Sequence, residues 1–190
     1  MNKPIDITNV ILKTDRLTLR PWQESDLADF YTYACVDGIG QMAGWMPHKD
    51  MEESRRILTR FIEGKKTFAL EYQGKVIGSL GIEEYQENLY PELAPLQGRS
   101  IGYVLSKDYW GHGLMPEAVK TVTAWLFETQ NLDFLLVSHF DWNRQSRRVI
   151  EKCGFRYIKT KELETRCNTV ETTLEYIRYH PERKICYADA

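Results

Sequence analysis

The sequence predicts a single α/β domain. Three observations lead there. A length of 190 residues suits one hydrophobic core. Apolar periodicity switches between strand-like and helix-like segments in the order β-α-α-β-β-β-α-β-α-β-β. No repeat or low-complexity linker divides the chain. The domain is expected over residues 8–180, with 181–190 as a C-terminal tail.

Leu17-Thr18-Leu19-Arg20 alternates and stops at Pro21, a short strand. From Glu24 to about Asp37, Leu27, Phe30, Tyr31 and Ala34 keep helical spacing. Met51 to about Glu63 repeats the pattern with Ile57, Leu58, Phe61 and Ile62. Strands over Thr67–Tyr72 and Val76–Ile82 flank Gln73-Gly74-Lys75, a hairpin signal. Tyr85 to Gly98, with Pro91 and Pro95, reads as a long surface loop. A strand over Arg99–Ser106 then runs into the loop Lys107–Gly113 and a helix that has Pro116 in its first turn and Val119, Val122 and Leu126 as its buried stripe. Phe134–His139 is a further strand. Asn143 opens a shorter helix that Gly154 closes, and two strands near 155–164 and 171–179 end the domain.

Composition excludes several classes. Hydrophobic residues make up 43% and charged residues 27%, with a net charge of −2, which argues against a dedicated nucleic-acid binder. No apolar run is long enough to span a membrane, and the opening residues have no apolar signal core, so a cytoplasmic protein is expected. Cys35, Cys153, Cys167 and Cys186 form no C-x-x-C pair; free, mostly buried thiols are expected, with no metal site.

The stretch Ile101 to Ala118 carries the chemistry. A strand enters a loop containing Gly111 and Gly113, and the loop enters a helix whose first N–H groups are unpaired. Such a corner suits a phosphate or pyrophosphate, although a plain strand-helix turn gives the same pattern. A P-loop would require Gly-Lys-Ser/Thr, which is lacking. A dinucleotide fingerprint would require a third glycine where Pro116 stands.

Tyr109-Trp-Gly-His-Gly-Leu-Met-Pro-Glu-Ala118 resembles the acetyl-CoA-binding motif of GNAT acetyltransferases, in the branch that includes ribosomal-protein N-terminal acetyltransferases. Thr14-Asp-Arg-Leu-Thr-Leu-Arg-Pro-Trp22 resembles that branch's opening strand. Asn143-Arg-Gln-Ser146 with Val149-Ile-Glu-Lys-Cys-Gly-Phe155 resembles its second cofactor motif. The resemblance covers nearly the whole chain. It departs from the superfamily pattern at Trp110, which replaces Gln or Arg, and at Met115, which replaces Gly or Ala.

The resemblance implies a mixed, mostly antiparallel sheet of about seven strands flanked by about four helices and splayed at the cofactor cleft. It implies acetyl-CoA as co-substrate, with the backbone of Gly111, His112, Gly113, Leu114 and Met115 around the pyrophosphate. Tyr103, Val104 and Leu105 would pair with the pantetheine arm as an added strand. Asn143 would hydrogen-bond the pantetheine amide, and Ser146 would sit near the thioester sulfur. The acceptor would be a primary amine, either a protein N-terminus or peptide, or a small amine such as a polyamine, aminoglycoside or amino-acid derivative. A non-catalytic acetyl-CoA-binding module is the reading from another class. Many proteins of this fold pair as homodimers, and the same is expected here.

Acetyl transfer needs a base for the amine, a donor for the developing oxyanion and a proton for the leaving thiolate. Glu83, and after it Glu84, is the candidate base, since both end a strand near the cleft and only one can face it. The backbone N–H of Val104 or Leu105 is the candidate oxyanion donor, and Ser146 the candidate proton donor. Each has a plain alternative: solvated strand-end carboxylates, a polar residue in a helix's first turn. His112 and His139 are read as structural in their side chains. Trp45 and Met46 are expected either to wall the acceptor entrance or to plug the core. Glu84, Glu87 and Glu92 would attract a cationic amine, or stand as ordinary solvated loop charges.

Overall fold

The computed structural model describes residues 1–183. Most of the expected tail, and with it Cys186, lies outside the described residues. Eight strands form one sheet: β1 Leu12–Lys13, β2 Thr18–Pro21, β3 Thr67–Tyr72, β4 Lys75–Glu83, β5 Gly98–Leu105, β6 Phe134–Phe140, β7 Arg156–Glu164 and β8 Val170–Tyr179. Four α-helices accompany them: α1 Leu27–Ala34, α2 Met51–Gly64, α3 Leu114–Glu128 and α4 Arg144–Lys152. The strand order is β1-β2-β3-β4-β5-β6-β8-β7. Every pairing is antiparallel except β5 with β6. The α/β class is as expected; the added strand is the two-residue β1, too short to leave a periodic signal.

Adjacent residues on one strand feed different cores. Phe68 and Leu70 join the cluster under α3 and α4, whereas Ala69 between them joins the cluster under α1 and α2. The sheet is therefore covered on both faces, which explains its nearly continuous apolar strands. Tyr90 and Leu93 from the long loop pack on Phe134, Leu136 and Ile177, on the same face as α1 and α2. That loop is not featureless; it holds 3-10 turns at Glu87–Leu89 and Pro91–Leu93.

Local signals set the element ends. Gln73 and Gly74 take φ of 50° and 77°, the left-handed pair that a tight hairpin demands. Asp50 caps α2 by accepting from the Glu53 N–H at 2.7 Å. The expected first helix begins three residues late, after a 3-10 turn over Glu24–Asp26. Asp26 is held there by Arg20, whose Nη1 and Nη2 donate to its two oxygens at 2.8 and 2.9 Å.

The thiols differ in exposure. Burial pushes Cys153 up to about 11, while Cys35 is half-buried. At pH 8, iodoacetamide is expected to label Cys35 in the native protein and leave Cys153 unmodified until denaturant is added; peptide mapping reads this directly.

Candidate active site

β5 and β6 are parallel and pair from Gly98 opposite Phe134 to Ile101 opposite Val137. Beyond that point they separate. The parted halves, Gly102–Leu105 and Ser138–Phe140, line a cleft of about 420 Å³ that passes through the sheet. A β-strand whose edge is parted from its neighbour offers N–H and C=O groups to an extended ligand. Tyr103, Val104 and Leu105 all line this gap.

One wall is the loop before α3. Gly111 and Gly113 have φ of 82° and 77°, conformations that side-chain-bearing residues adopt only under strain, and a Cβ on Gly111 would meet nothing within 4 Å. Gly113 caps α3, so Leu114 and Met115 supply its first free N–H groups. Met115 turns its side chain into the core at 4% exposure, which leaves its backbone at the cleft. Pro116 ends the row of donors. His112 is exposed and does not line the cleft; its carbonyl accepts from Arg16 Nη1 at 2.9 Å. Arg16 also pairs with Glu117 at 2.6 Å and so braces the loop from outside. Arg148 and Lys152 on α4 add two cations to the lining. On the sequence they are two basic residues among many, with no motif to mark them.

α4 supplies the opposite wall. Asn143 caps it by accepting from Ser146 N–H at 3.0 Å, and its Nδ2 donates to the Met42 carbonyl at 3.2 Å. The buried amide thus both caps the helix and ties it to the loop after α1. Ser146 Oγ lies 2.9 Å from the Tyr103 hydroxyl, which also donates to the Ser146 carbonyl at 3.2 Å. Burial raises the Tyr103 pKa, so the phenol stays protonated at neutral pH. His139 lines the cleft but is fully engaged, with Nδ1 2.7 Å from the Phe140 carbonyl and Nε2 3.2 Å from the Tyr176 hydroxyl.

On the far face the cleft is partly roofed. A 3-10 turn over Gly40–Ala43 ends at Gly44, whose carbonyl accepts from Arg166 N–H at 2.9 Å, in the β7–β8 connection. Ile39, Met42 and Ala43 form the wall here. Trp45 packs back into the α1–α2 core, beside His48, and Met46 faces solvent at 56% exposure; neither lines the cleft. The reversal at Gly44, with φ of 79°, directs the chain away from the cleft just before Trp45.

Beside this roof lies a smaller polar cavity of about 140 Å³, lined by Glu84, Tyr85, Gln86, Tyr90, Ser100, Leu136, Val137, Ser138, Lys161 and Glu175. Val137 and Ser138 line both spaces. Glu84 is thus at the cavity, 69% exposed and 3.3 Å from Arg99. Glu83 stands opposite Ser100 in the closed half of the sheet and pairs with Lys66 at 2.7 Å. Glu175 is buried at 6% exposure and was missed from the sequence, where it sits in a strand with no motif around it.

The cleft's features fit acetyl-CoA: a free strand edge, a helix N-terminus behind two left-handed glycines, and cations at the rim. Among the described residues there is no cluster able to hold a metal ion, and no helix is long and apolar enough to cross a membrane.

Comparison with known proteins agrees. The family model for the GNAT acetyltransferase domain matches residues 16–156. An uncharacterized protein of Bacillus subtilis (strain 168), YkkB, is 25% identical over 161 residues, covering 78% of this chain and 87% of that protein. A GNAT-family acetyltransferase structure from Bacillus anthracis superposes with a TM-score of 0.79 at 19% identity, over 91% of this chain and 100% of that one. The ribosomal-protein-S5-alanine acetyltransferase of Vibrio fischeri gives 0.71 at 19% identity, over 92% and 98%. At these identities the two structures attest the fold, and the family match attests the chemistry: this chain belongs to the GNAT family and is an acetyl-CoA-dependent N-acetyltransferase.

Proposed function

We propose that the chain acetylates an acceptor carrying a single primary amine, the amino end of a peptide or protein or of an amino-acid derivative. The observation that carries this reading is the charge balance of the polar cavity. Of its two carboxylates, Glu175 is paired with Lys161 of the same lining, and Glu84 with Arg99, a buried residue outside the lining. A polyamine would require several anionic subsites, whereas one ammonium beside neutral or oxygen-bearing groups suits this mixture. The roof at Gly44 and Arg166 further favours an acceptor that enters end-on. The Vibrio fischeri neighbour acts, by its name, on the alanine of a ribosomal protein, an acceptor of this kind.

In this reading the Tyr103–Leu105 edge orients the pantetheine arm, and the backbone N–H of Val104 or Leu105 meets the developing oxyanion. The N–H groups of Gly111, Gly113, Leu114 and Met115 and the cations Arg148 and Lys152 bind the phosphates. Ser146, hydrogen-bonded to Tyr103, returns a proton to the leaving thiolate. Of the two candidate bases, Glu84 lines the acceptor cavity and draws the cationic amine toward it.

The test is thiol release from acetyl-CoA in the presence of short peptides, amino-acid amides, spermidine and an aminoglycoside. Release is expected with peptides or amino-acid amides; a preference for spermidine would overturn the acceptor class. Ser146→Ala is expected to lower kcat about 100-fold while leaving the acetyl-CoA Kd within a few-fold. An unchanged kcat would remove Ser146 from the proton path.

A further inference from the structure

Resting on the transfer reaction above, we propose that Glu175 anchors the acceptor's ammonium and receives its proton before attack. Glu175 lies on β8 directly opposite Ser138 of β6. Ser138 is the first β6 residue beyond the last β5–β6 pair, and it lines both the cofactor cleft and the polar cavity. The carboxylate therefore sits one strand away from the apex of the splay, where β5 and β6 part. Ile177, two residues on, and Leu136, two residues before Ser138, share the cluster under the long loop. By strand alternation Glu175 and Ser138 look toward that same face, opposite α3 and α4. The roof at Gly40–Gly44 lies close to Phe140 through Gly44, and Tyr90 with Leu93 covers Phe134 and Leu136. The cavity holding Glu175 is the space left between these two covers.

A carboxylate taken out of water needs compensation. Glu175 has it from two sides: Tyr90 donates its hydroxyl to Oε2, and Lys161 pairs with Oε1 at 2.5 Å. The other groups facing it are Lys159 of β7, 3.9 Å from Oε2, Glu84 at the cavity wall, and Glu92, which acts on Tyr90 from the loop. Each carboxylate oxygen has a further lone pair, so an ammonium can bind without expelling Tyr90 or Lys161. Lys161, 31% exposed, reaches Glu175 from the exposed strand β7 and links it to solvent.

The step balances as follows. The acceptor R–NH3⁺ gives one proton to the Glu175 carboxylate, which later passes it to solvent. The neutral amine attacks the thioester carbonyl; a C–N bond forms and the C–S bond breaks. Ser146 gives its proton to the thiolate and is reprotonated by the second nitrogen proton, which leaves as the amide forms. One proton in all is released per turnover. Glu84 sits at the rim and steers the cation, and Glu175 takes the proton.

The test uses the full chain with a dipeptide acceptor, comparing wild type, Glu175→Gln, Glu175→Asp, Tyr90→Phe and Glu84→Gln. Thiol release is followed from pH 6 to pH 10, and acetyl-CoA affinity is measured by calorimetry. Glu175→Gln is expected to keep its acetyl-CoA Kd and to lose kcat/KM on the order of 100-fold at pH 7. The loss should shrink as pH rises toward the amine's own pKa, where the neutral amine is supplied by solvent. Glu175→Asp should recover part of the rate. Tyr90→Phe, which keeps the carboxylate, should show a smaller loss with the same pH trend, and it serves if Glu175→Gln does not fold. A loss equal at every pH, a wild-type profile in both the Glu175→Gln and Tyr90→Phe variants, or a pH-dependent loss in Glu84→Gln alone would overturn the assignment. A wild type that binds acetyl-CoA but acetylates no amine would refute the transfer reaction itself, and the anchor with it.

Discussion

Arg20→Leu is expected to destabilise the fold by about 3–5 kcal/mol, the range for removing one partner of a buried ion pair. Arg20 is the hub between β2, β3 and the start of α1. Its Nε donates to Glu71 at 2.7 Å, its two Nη atoms fork onto Asp26, and Nη1 also donates to the Pro21 carbonyl at 3.1 Å. Asp26 is 6% exposed and also accepts from the Gln23 N–H at 2.8 Å, which fixes the entry into α1. Leucine would leave that carboxylate buried without a cation. For a chain of this size the loss corresponds to a melting temperature lowered by about 10 °C. Urea denaturation followed by circular dichroism measures it. Arg20→Lys should fall between the two, because an ammonium cannot fork onto Asp26 while reaching Glu71. Combining Arg20→Leu with Asp26→Asn should recover part of the stability by removing the unpaired charge. A change within about 0.5 kcal/mol for Arg20→Leu, typical of surface sites, would show that the network is solvated after all.

Gly113→Val is the variant with the largest expected effect on cofactor binding. Gly113 sits at φ 77° as the cap of α3, and valine in that region costs roughly 1–3 kcal/mol of strain. The backbone relieves strain by rotating, and the N–H groups it presents are those of Leu114 and Met115. A hydrogen bond to a charged group is worth about 1.5–3 kcal/mol, so misdirecting one weakens acetyl-CoA binding about 10- to 100-fold. The helix itself is anchored by Leu114, Ala118, Val119, Val122 and Leu126 in the core, so the far-UV spectrum should be unchanged. Calorimetric titration with acetyl-CoA reads the affinity. Unaltered binding would mean that the phosphates are held by Arg148 and Lys152 rather than by the helix terminus.

Both sites show which parts of the molecule a linear reading reaches. The hairpin at Gln73-Gly74, the cap at Asn143, the stop at Gly154 and the turn at Gly111 and Gly113 are encoded by a few contiguous residues. Their backbone requirements are local, so the sequence announces them. The same holds for the cleft edge Tyr103–Leu105, because strand, loop and helix follow one another without a break. The acceptor side is different. The role of Trp45 turned on a single reversal at Gly44, which folds the indole into the core and leaves Ile39, Met42 and Ala43 at the cleft. The positions of Glu83 and Glu84 turned on where β5 parts from β6, a register between strands far apart in the chain.

The sequence by itself determined that this chain is an α/β fold with a glycine-containing strand-loop-helix, because apolar periodicity, turn residues and helix termini are properties of neighbouring residues. The tertiary structure alone decided which carboxylates share the polar cavity beside the cleft. Glu175 comes from β8, Tyr90 from the loop after β4 and Lys161 from β7, and only the sheet order β5-β6-β8-β7 with its long loop folded across one face brings them together in the polar cavity. Burial and ion pairing depend on that long-range register, and no window of sequence contains it.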